Sequence, residues 1–450
     1  MSKFLETLRN IWKIEDLRNK ILYTLGLVLV YRIGCFVVLP GIDPEVLASS
    51  AFQSQGGQGI LSILNMFVGG SFLRASVFAL GIMPYISASI AMQLLTLAVP
   101  YFQKLQKEGE SGRKKISQWT RYGTIAVTLV QGLGYIAFLN QIAPNAIILN
   151  SLMFGLSTII VLTAGTIFTM WLGEKITDKG IGNGISLIIM IGIIAQLPFG
   201  LSAEFQSKIL GASGGIIFFV IEMLLLLAVV IFTILMVQGV RRIPVNYAKR
   251  MVGNKEFGGS RDFIPLRVNA SGVMPIIFAQ ALMFIPSLAG QFFPESAIAT
   301  EMNSGAYLTS WWYNIVMFLL VVLFTYFYTA LIINPNEMAE NMKRNNGFIP
   351  GVKPGKKTAE FVDSILSKIT LPGSIALGVI AILPVFAMAF GVNPQFAQFY
   401  GGTSLLILVA VVLDTLQQIE SHLLMRHYDG LMEGGTRIKG RGAGAIGASV

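Results

Sequence analysis

Three ionisable residues, Arg32, Glu222 and Asp414, stand inside apolar stretches of this chain. A charge in a hydrophobic run is a functional candidate by default, because burying it is costly. Acids converging near the middle of a membrane are what a proton- or ion-coupled transporter uses as a relay. Neither Glu222 nor Asp414 has an acidic neighbour three or four residues away, so neither builds a relay on its own helix face. Structural pairing, or exposure to an aqueous vestibule, is the better reading of both.

The remaining reactive side chains are sparse. Cys35 is the sole cysteine, which excludes an internal disulfide or a cysteine metal site, and His422 and His427 are the two histidines, both near the C-terminus. The run from Gly351 to Thr358 looks like a phosphate loop at a glance. Its glycines are one residue too close, Lys356 is followed by Lys357 rather than Ser or Thr, and no strand precedes it. Gly180-Ile181-Gly182-Asn183-Gly184 fails as a dinucleotide fingerprint because it links two apolar runs. The chain is therefore expected to be no enzyme, with no cofactor and no metal.

A different chemistry, that of an apolar seal, is open to isoleucines. Ile82 and Ile86 lie one helical turn apart around Pro84, which is expected to break one backbone hydrogen bond. Ile185, Ile189, Ile277 and Ile407 offer equivalents on other runs. Such pairs are ordinarily packing, and spacing alone does not converge them.

The elements that would position these residues follow from composition. The 450 residues are 54% hydrophobic and 12% charged, too few charges to cover a water-soluble globule of this size. Apolar segments recur at about 22–39, 74–98, 122–141, 152–173, 185–198, 214–238, 270–290, 311–333, 371–390 and 403–424, ten runs for a polytopic membrane protein. The fifth is short, and the glycine run before it reads as a break or an extension of the kind tolerated only where protein or a water-filled cavity surrounds it. Residues 1–20 place Phe4, Leu5, Leu8, Ile11, Trp12 and Leu17 at helical spacing, an amphipathic surface helix rather than a cleaved signal. Residues 56–73 are apolar and glycine-flanked but too short to span, which suits an interfacial helix or a mobile stopper.

Thirty of the thirty-three Lys and Arg residues fall in alternate connections, and the opposite connections hold only Lys208. By the positive-inside rule both termini are cytoplasmic. The net charge of +10 is therefore an orientation signal. The longest basic connections, 239–269 and 334–370, read as loops whose length and charge suit an acidic macromolecular partner such as ribosomal RNA. Ten spans divide into two sets of five, and an odd number per half makes any duplication inverted. Domain limits follow: a surface helix over 1–20, a first half over 21–198, a second over 199–424 and a cytoplasmic tail over 425–450.

Several runs taken together resemble one family. RASVFALGIMPYISASI (74–90), KEGESGRKKISQWTRYGT (107–124), DKGIGNGISL (178–187), RRIPVNYAKR (241–250), GFIPGVKPGKKTAEF (347–361) and GGTSLLILVAVVLD (401–414) are similar to the SecY family of bacterial protein-translocation channels, over about residues 12–430. The resemblance implies an all-α clamshell of ten membrane helices in two inverted halves around an hourglass pore. It implies a passive, gated channel for unfolded secretory polypeptides that also releases membrane segments sideways into lipid. Ile82, Ile86, Ile185, Ile189, Ile277 and Ile407 would form its constriction. A plug over about 60–72 would contain Ile60, Leu61, Ile63, Leu64, Asn65, Met66, Phe67, Val68, Gly69 and Gly70. Gln93, Asn269, Ser271 and Gln280 would weaken a lateral gate edged by spans two and seven. Arg241, Arg242, Lys249, Arg250, Lys353, Lys356 and Lys357 would dock partners. Many relatives carry Arg where Lys353 stands, and lysine lacks the planar fork. Implied partners are SecE and SecG subunits, a SecA ATPase, the translating ribosome, signal sequences and nascent chains, with accessory SecD/SecF and YidC, in a bacterial inner membrane. The competing readings are a secondary transporter with a midplane small-solute site and a scaffold without a through-pore.

Overall fold

The computed structural model describes residues 12, 14–47, 65–210, 215–247, 250–252, 255–257, 261–292 and 310–434. The amphipathic helix expected over 1–20 lies largely outside the described residues. So do Ile60, Leu61, Ile63 and Leu64 of the expected plug, Lys249, and the tail from 435 onward.

The helices are α1 (Glu15–Gly34), α2 (Met83–Ala98), α3 (Pro100–Lys107), α4 (Glu110–Ile142), α5 (Ser151–Lys179), α6 (Gly184–Phe205) and α7 (Gly215–Gln238). After a group of strands come α8 (Met274–Phe292), α9 (Trp311–Ile332), α10 (Pro335–Arg344), α11 (Lys356–Ala389), the short α12 (Pro394–Ala397) and α13 (Gly402–Gly434). Among the described residues seven helices are long and apolar enough to cross a membrane, or eight if α2 and α3, bent 96° to each other, count as one span. α1 falls short of that standard because Arg18, Lys20 and Arg32 interrupt its apolar run, and the apolar part of α8 so counted covers only Met274–Met283.

Two expected spans have different limits. The second begins at Met83 rather than 74, because the chain before it passes through turns with Gly69, Gly70 and Gly81 at φ of 68°, 89° and 53°, a region that glycine enters freely. Pro84 therefore falls in the first helical turn, where its missing N–H would have no acceptor, and it breaks nothing. The fifth span runs on through Pro198 to Phe205, so the expected boundary between 198 and 199 falls inside α6. The glycine run is its cap. Asn183 Oδ1 accepts from the N–H groups of Ile185 and Ser186 at 3.1 and 3.3 Å, satisfying two of the free donors at the helix start.

The larger correction concerns the basic loops. Residues 239–269 carry strands β1 (Val240–Tyr247), β2 (Arg250–Val252), β3 (Lys255–Phe257) and β4 (Arg261–Arg267), and β5 (Gly347–Phe348) comes from the other basic connection. β1 pairs antiparallel with β4 on one side and β5 on the other, with Asn246 opposite Phe348. The two connections thus share one sheet. Ile243, Val245 and Leu266 face Met342, Ile349, Val362 and Leu366 in a small core beside α10 and α11, while Arg241 and Arg242 stay exposed. Pro244 and Pro265 within the strands obscure the alternation in the sequence, and the pairing of residues a hundred positions apart has no local signal.

The membrane helices form two seams. On one, α6 packs along α13. On the other, α4 touches α8, and Ile90 of α2 meets Phe278 of α8 and Tyr328 of α9 in an apolar cluster.

Candidate functional site

Between the seams the chain before α2 folds back into the bundle. Residues 65–70 are fastened by their own backbone: the N–H of Gly70 donates to Asn65 O at 2.8 Å, and Asn65 Oδ1 accepts from the N–H of Leu73 at 3.1 Å. Ser71 Oγ donates to Val68 O at 2.9 Å, and Arg32 Nη1 reaches across from α1 to Gly69 O at 3.0 Å. Arg32 and Arg74 also lie over the Phe36 ring, 5.0 and 4.6 Å from its centroid. The segment rests on α6 at Gly192, where a Cβ would collide with the carbonyl of Phe67. Glycine is required there by close approach of two backbones.

Met66, Phe67 and Val68 are buried in the largest apolar cluster among the described residues, together with Ile82, Ile189 and Ile407. Ile86, Ile185 and Ile277 pack against the same cluster. The six isoleucines, from the start of α2, from α6, α8 and α13, are thus buried in, or packed against, the same apolar cluster as Met66, Phe67 and Val68. They are not equivalent: Ile185, in the first turn of α6, presses its Cγ1 onto Gly173 of α5, 3.0 Å from where a Cβ would stand. An apolar cluster of this kind offers no hydrogen bonds and resists wetting.

Above it a cavity of about 60 Å³ opens between Met66 and Phe67 on one side and Gln280, Met317, Met388 and Thr403 on the other. That is room for water, with polar groups to hold it.

The four polar residues expected at one gate have separate hydrogen-bond partners, apart from Ser271 and Asn269, which bond to each other. Gln93 of α2 accepts from Tyr328 Oη of α9 at 3.0 Å, across the seam that also holds α8. Gln280 accepts instead from Thr403 Oγ1 of α13 at 3.0 Å, and Ser271 Oγ donates to Asn269 Oδ1 at 3.4 Å before α8 begins. Of the expected docking residues, Arg241 and Arg242 lie exposed on β1, Arg250 is on β2, and Lys353, Lys356 and Lys357 are exposed where α11 starts.

The intramembrane acids resolve as structural pairing and exposure. Glu222 Oε1 binds Lys208 Nζ at 3.0 Å, and Asp414 is exposed, accepting from Gln418 Nε2 at 3.3 Å. Among the described residues no group of three metal-ligating side chains occurs. The glycine run is occupied by protein: the N–H of Ile181 donates to Thr24 Oγ1 at 3.1 Å and that of Gly182 to Gln418 Oε1 at 2.8 Å.

Sequence reasoning missed Gly192, Tyr328 and Glu204. A lone glycine inside a long apolar helix and the Glu204–Lys208 spacing of four were the available signals.

Comparison with known proteins bears on this arrangement. The family model for SecY matches residues 76–416. Protein translocase subunit SecY of Streptomyces coelicolor is 44% identical over 436 residues, covering 94% of this chain and 98% of that protein. Protein translocase subunit SecY of Halalkalibacterium halodurans is 45% identical over 433 residues, covering 95% and 99%. A solved structure described as a protein conducting channel superposes with a TM-score of 0.63 at 18% identity, covering 94% of this chain and 95% of the other. Sec61 in the canine ribosome–channel complex from the endoplasmic reticulum gives 0.59 at 17% identity with the same coverage. At such identities the structural likeness speaks for the fold.

Proposed function

The chain belongs to the SecY family of multi-pass protein translocase subunits, and from that premise we propose that its ten apolar helices form two inverted five-helix halves around a pore for unfolded polypeptide. The halves meet at the two seams, α6 against α13 as the hinge side and α2 and α4 against α8 and α9 as the lateral gate. Ile82, Ile86, Ile189, Ile277 and Ile407, with Ile185 at the margin, are the constriction, and the 60–72 segment is the plug. Both termini and the basic sheet face the cytoplasm of a bacterial cell. The concentration of Lys and Arg in alternate connections, the basic sheet among them, supports that orientation.

The observation that carries the reading is the single apolar cluster joining isoleucines of both halves to Met66, Phe67 and Val68. Such a ring costs an ion its hydration yet grips no polypeptide sequence, so a chain slides while ions are refused. At the gate, Tyr328 to Gln93 is one hydrogen bond between membrane helices, worth about 0.6–2 kcal/mol. An apolar signal sequence partitioning into lipid outweighs that. Driving force comes from a partner motor, from chain elongation or from the proton-motive force.

The joined basic sheet is the docking face for a SecA ATPase or a translating ribosome. Its shared core supports the reading by holding Arg241 and Arg242 in fixed register with the loop that bears Lys353, Lys356 and Lys357. Lys353 serves as a point charge. SecE and SecG subunits, and accessory SecD/SecF and YidC, complete the assembly. The transporter alternative finds no support in the relatives, and Glu222 is bound to Lys208 while Asp414 is exposed beside Gln418.

The test is photocrosslinking of a stalled preprotein to probes at Ile86 and Ile277. Adducts from both put one chain between the halves. Adducts from neither, with the preprotein demonstrably engaged, refute the pore assignment.

A further inference from the structure

The helix α6 is tied at both ends to the second half of the chain by polar contacts. At the end nearer the basic sheet the tie is neutral, Gly182 N–H to Gln418 Oε1. At the opposite end it is charged and buried. Lys208 follows α6 in a π-turn (Gln206–Leu210), and its Nζ lies 3.0 Å from Glu222 Oε1 on α7, 3.8 Å from Glu204 Oε1 on α6 and 3.0 Å from the carbonyl of Gly391. The N–H of Asn393 donates to Glu204 Oε2 at 2.7 Å, and Tyr400 Oη donates to the backbone carbonyl of Glu222 at 2.8 Å. Relative exposures are 0% for Glu204, 5% for Lys208 and 9% for Glu222.

Each contact of Lys208 beyond Glu204 leads from α6 into the second half of the chain, to α7 or to the connection between α11 and α13. The arrangement has no slack. Two carboxyl groups face one ammonium, and Glu204 Oε1 and Glu222 Oε2 have no hydrogen-bond donor, so no other described side chain replaces Lys208 if it is lost. A buried ion cluster of this type contributes little net stability against apolar side chains of the same volume, yet removing Lys208 leaves two carboxyl groups facing each other without a counter-charge. What it supplies is geometry: it is satisfied at one mutual placement of the elements and at few others.

We propose that the Glu204–Lys208–Glu222 cluster is a charged pin fixing the angle between the two halves, and that Lys208 is the positioning residue that holds the pore closed at rest. The proposal rests on the channel reading above and deepens it. Without the pin the halves splay about the α6–α7 connection, the distant isoleucine ring loses closure, and ions leak while the helices themselves remain folded.

The experiment compares resting ion conductance of the full-length chain, reconstituted with its copurified partner subunits in planar bilayers, after Lys208→Met, Lys208→Arg and the triple change Lys208→Met/Glu204→Gln/Glu222→Gln. Ile277→Asn is the control for the ring. Lys208→Met is expected to raise leak at least about tenfold, a shift of about 1.4 kcal/mol between closed and open. Lys208→Arg is expected to stay near wild type because it keeps the cation, and the triple variant is expected to leak like Lys208→Met because it removes the pin without stranding a charge. The triple variant carries the test by itself if Lys208→Met fails to accumulate. A sealed triple variant overturns the pin, since packing rather than charge then sets the angle. A sealed Lys208→Met beside a leaking Ile277→Asn overturns the pin and leaves the channel standing. If both stay sealed, the channel reading falls and the pin with it.

Discussion

The carbonyl oxygen of Phe67 occupies the place that a Cβ on Gly192 would take, and a Cβ on Gly69 would in turn stand 3.2 Å from the Gly192 Cα. Two backbones, one from the segment that fills the bundle and one from α6, are thus in direct contact through paired glycines. The seat of the proposed plug is the absence of a side chain.

Gly192→Val is therefore expected to lift the segment while leaving α6 intact, because a helix interior favours any ordinary residue over glycine. Cys35, fully buried in the same cluster as Met66 and Phe67 and the sole cysteine of the chain, supplies a native reporter. Its alkylation by a small maleimide should be slow in wild type and at least about tenfold faster in the variant, a change of about 1.4 kcal/mol in the opening equilibrium. Equal rates would show that the seat does not hold the plug.

Arg32 should act on the same segment from the other side. A hydrogen bond from a charged donor contributes about 1.5–3 kcal/mol, and the stacking over Phe36 adds about 0.5–1. Arg32→Ala is expected to lower hydrogen-exchange protection of the Gly69 and Gly70 amides by roughly 1–3 kcal/mol, with Arg32→Lys intermediate because it keeps charge without the planar fork. Unchanged protection in Arg32→Ala would mean the bond to Gly69 is incidental.

The six isoleucines are expected to differ. Asparagine at Ile189, Ile277 or Ile407 introduces a group that holds water at the constriction, so conductance rises and defective signal sequences are accepted. At Ile185, half-buried and turned onto Gly173, the same change should disturb the packing of α6 on α5 and give a much smaller leak. Bilayer conductance alongside thermal unfolding in detergent separates the two effects.

The sheet offers a change that leaves the seal alone. Val245 is fully buried between the two basic connections, and Val245→Asp puts an unpaired charge there, which costs several kcal/mol. Faster limited proteolysis within 239–269 and weaker stimulation by a cytoplasmic motor are expected, with resting conductance unchanged. A motor response equal to wild type would detach docking from the sheet.

How much of this was legible depends on the range of each interaction. Hydrophobic runs, their charged connections and the caps are local, so the helices came out near their expected places, and Lys208 stood out as the one basic residue on the other side. The limits of α2 and α6 were misplaced because a proline's effect depends on where in the helix it falls: Pro84 lies in a first turn and Pro198 in an interior. The sheet went unread because β1 meets β5 a hundred residues on, through two strands that contain proline.

By itself the sequence determined that the chain is a multi-pass membrane protein, which side its charge favours, which family it resembles and which isoleucines that family would place in a ring. All of these follow from residue type counted along the chain, because lipid and membrane potential act on each segment separately. Only the tertiary structure decided that Gly192 is the seat of Phe67, that Ile185 leans on Gly173, that Gln93 answers Tyr328 while Gln280 answers Thr403, and that Lys208 closes on Glu222. These are distances between atoms far apart in sequence, set by how close packing resolves all the helices at once, and no periodicity along one helix contains them.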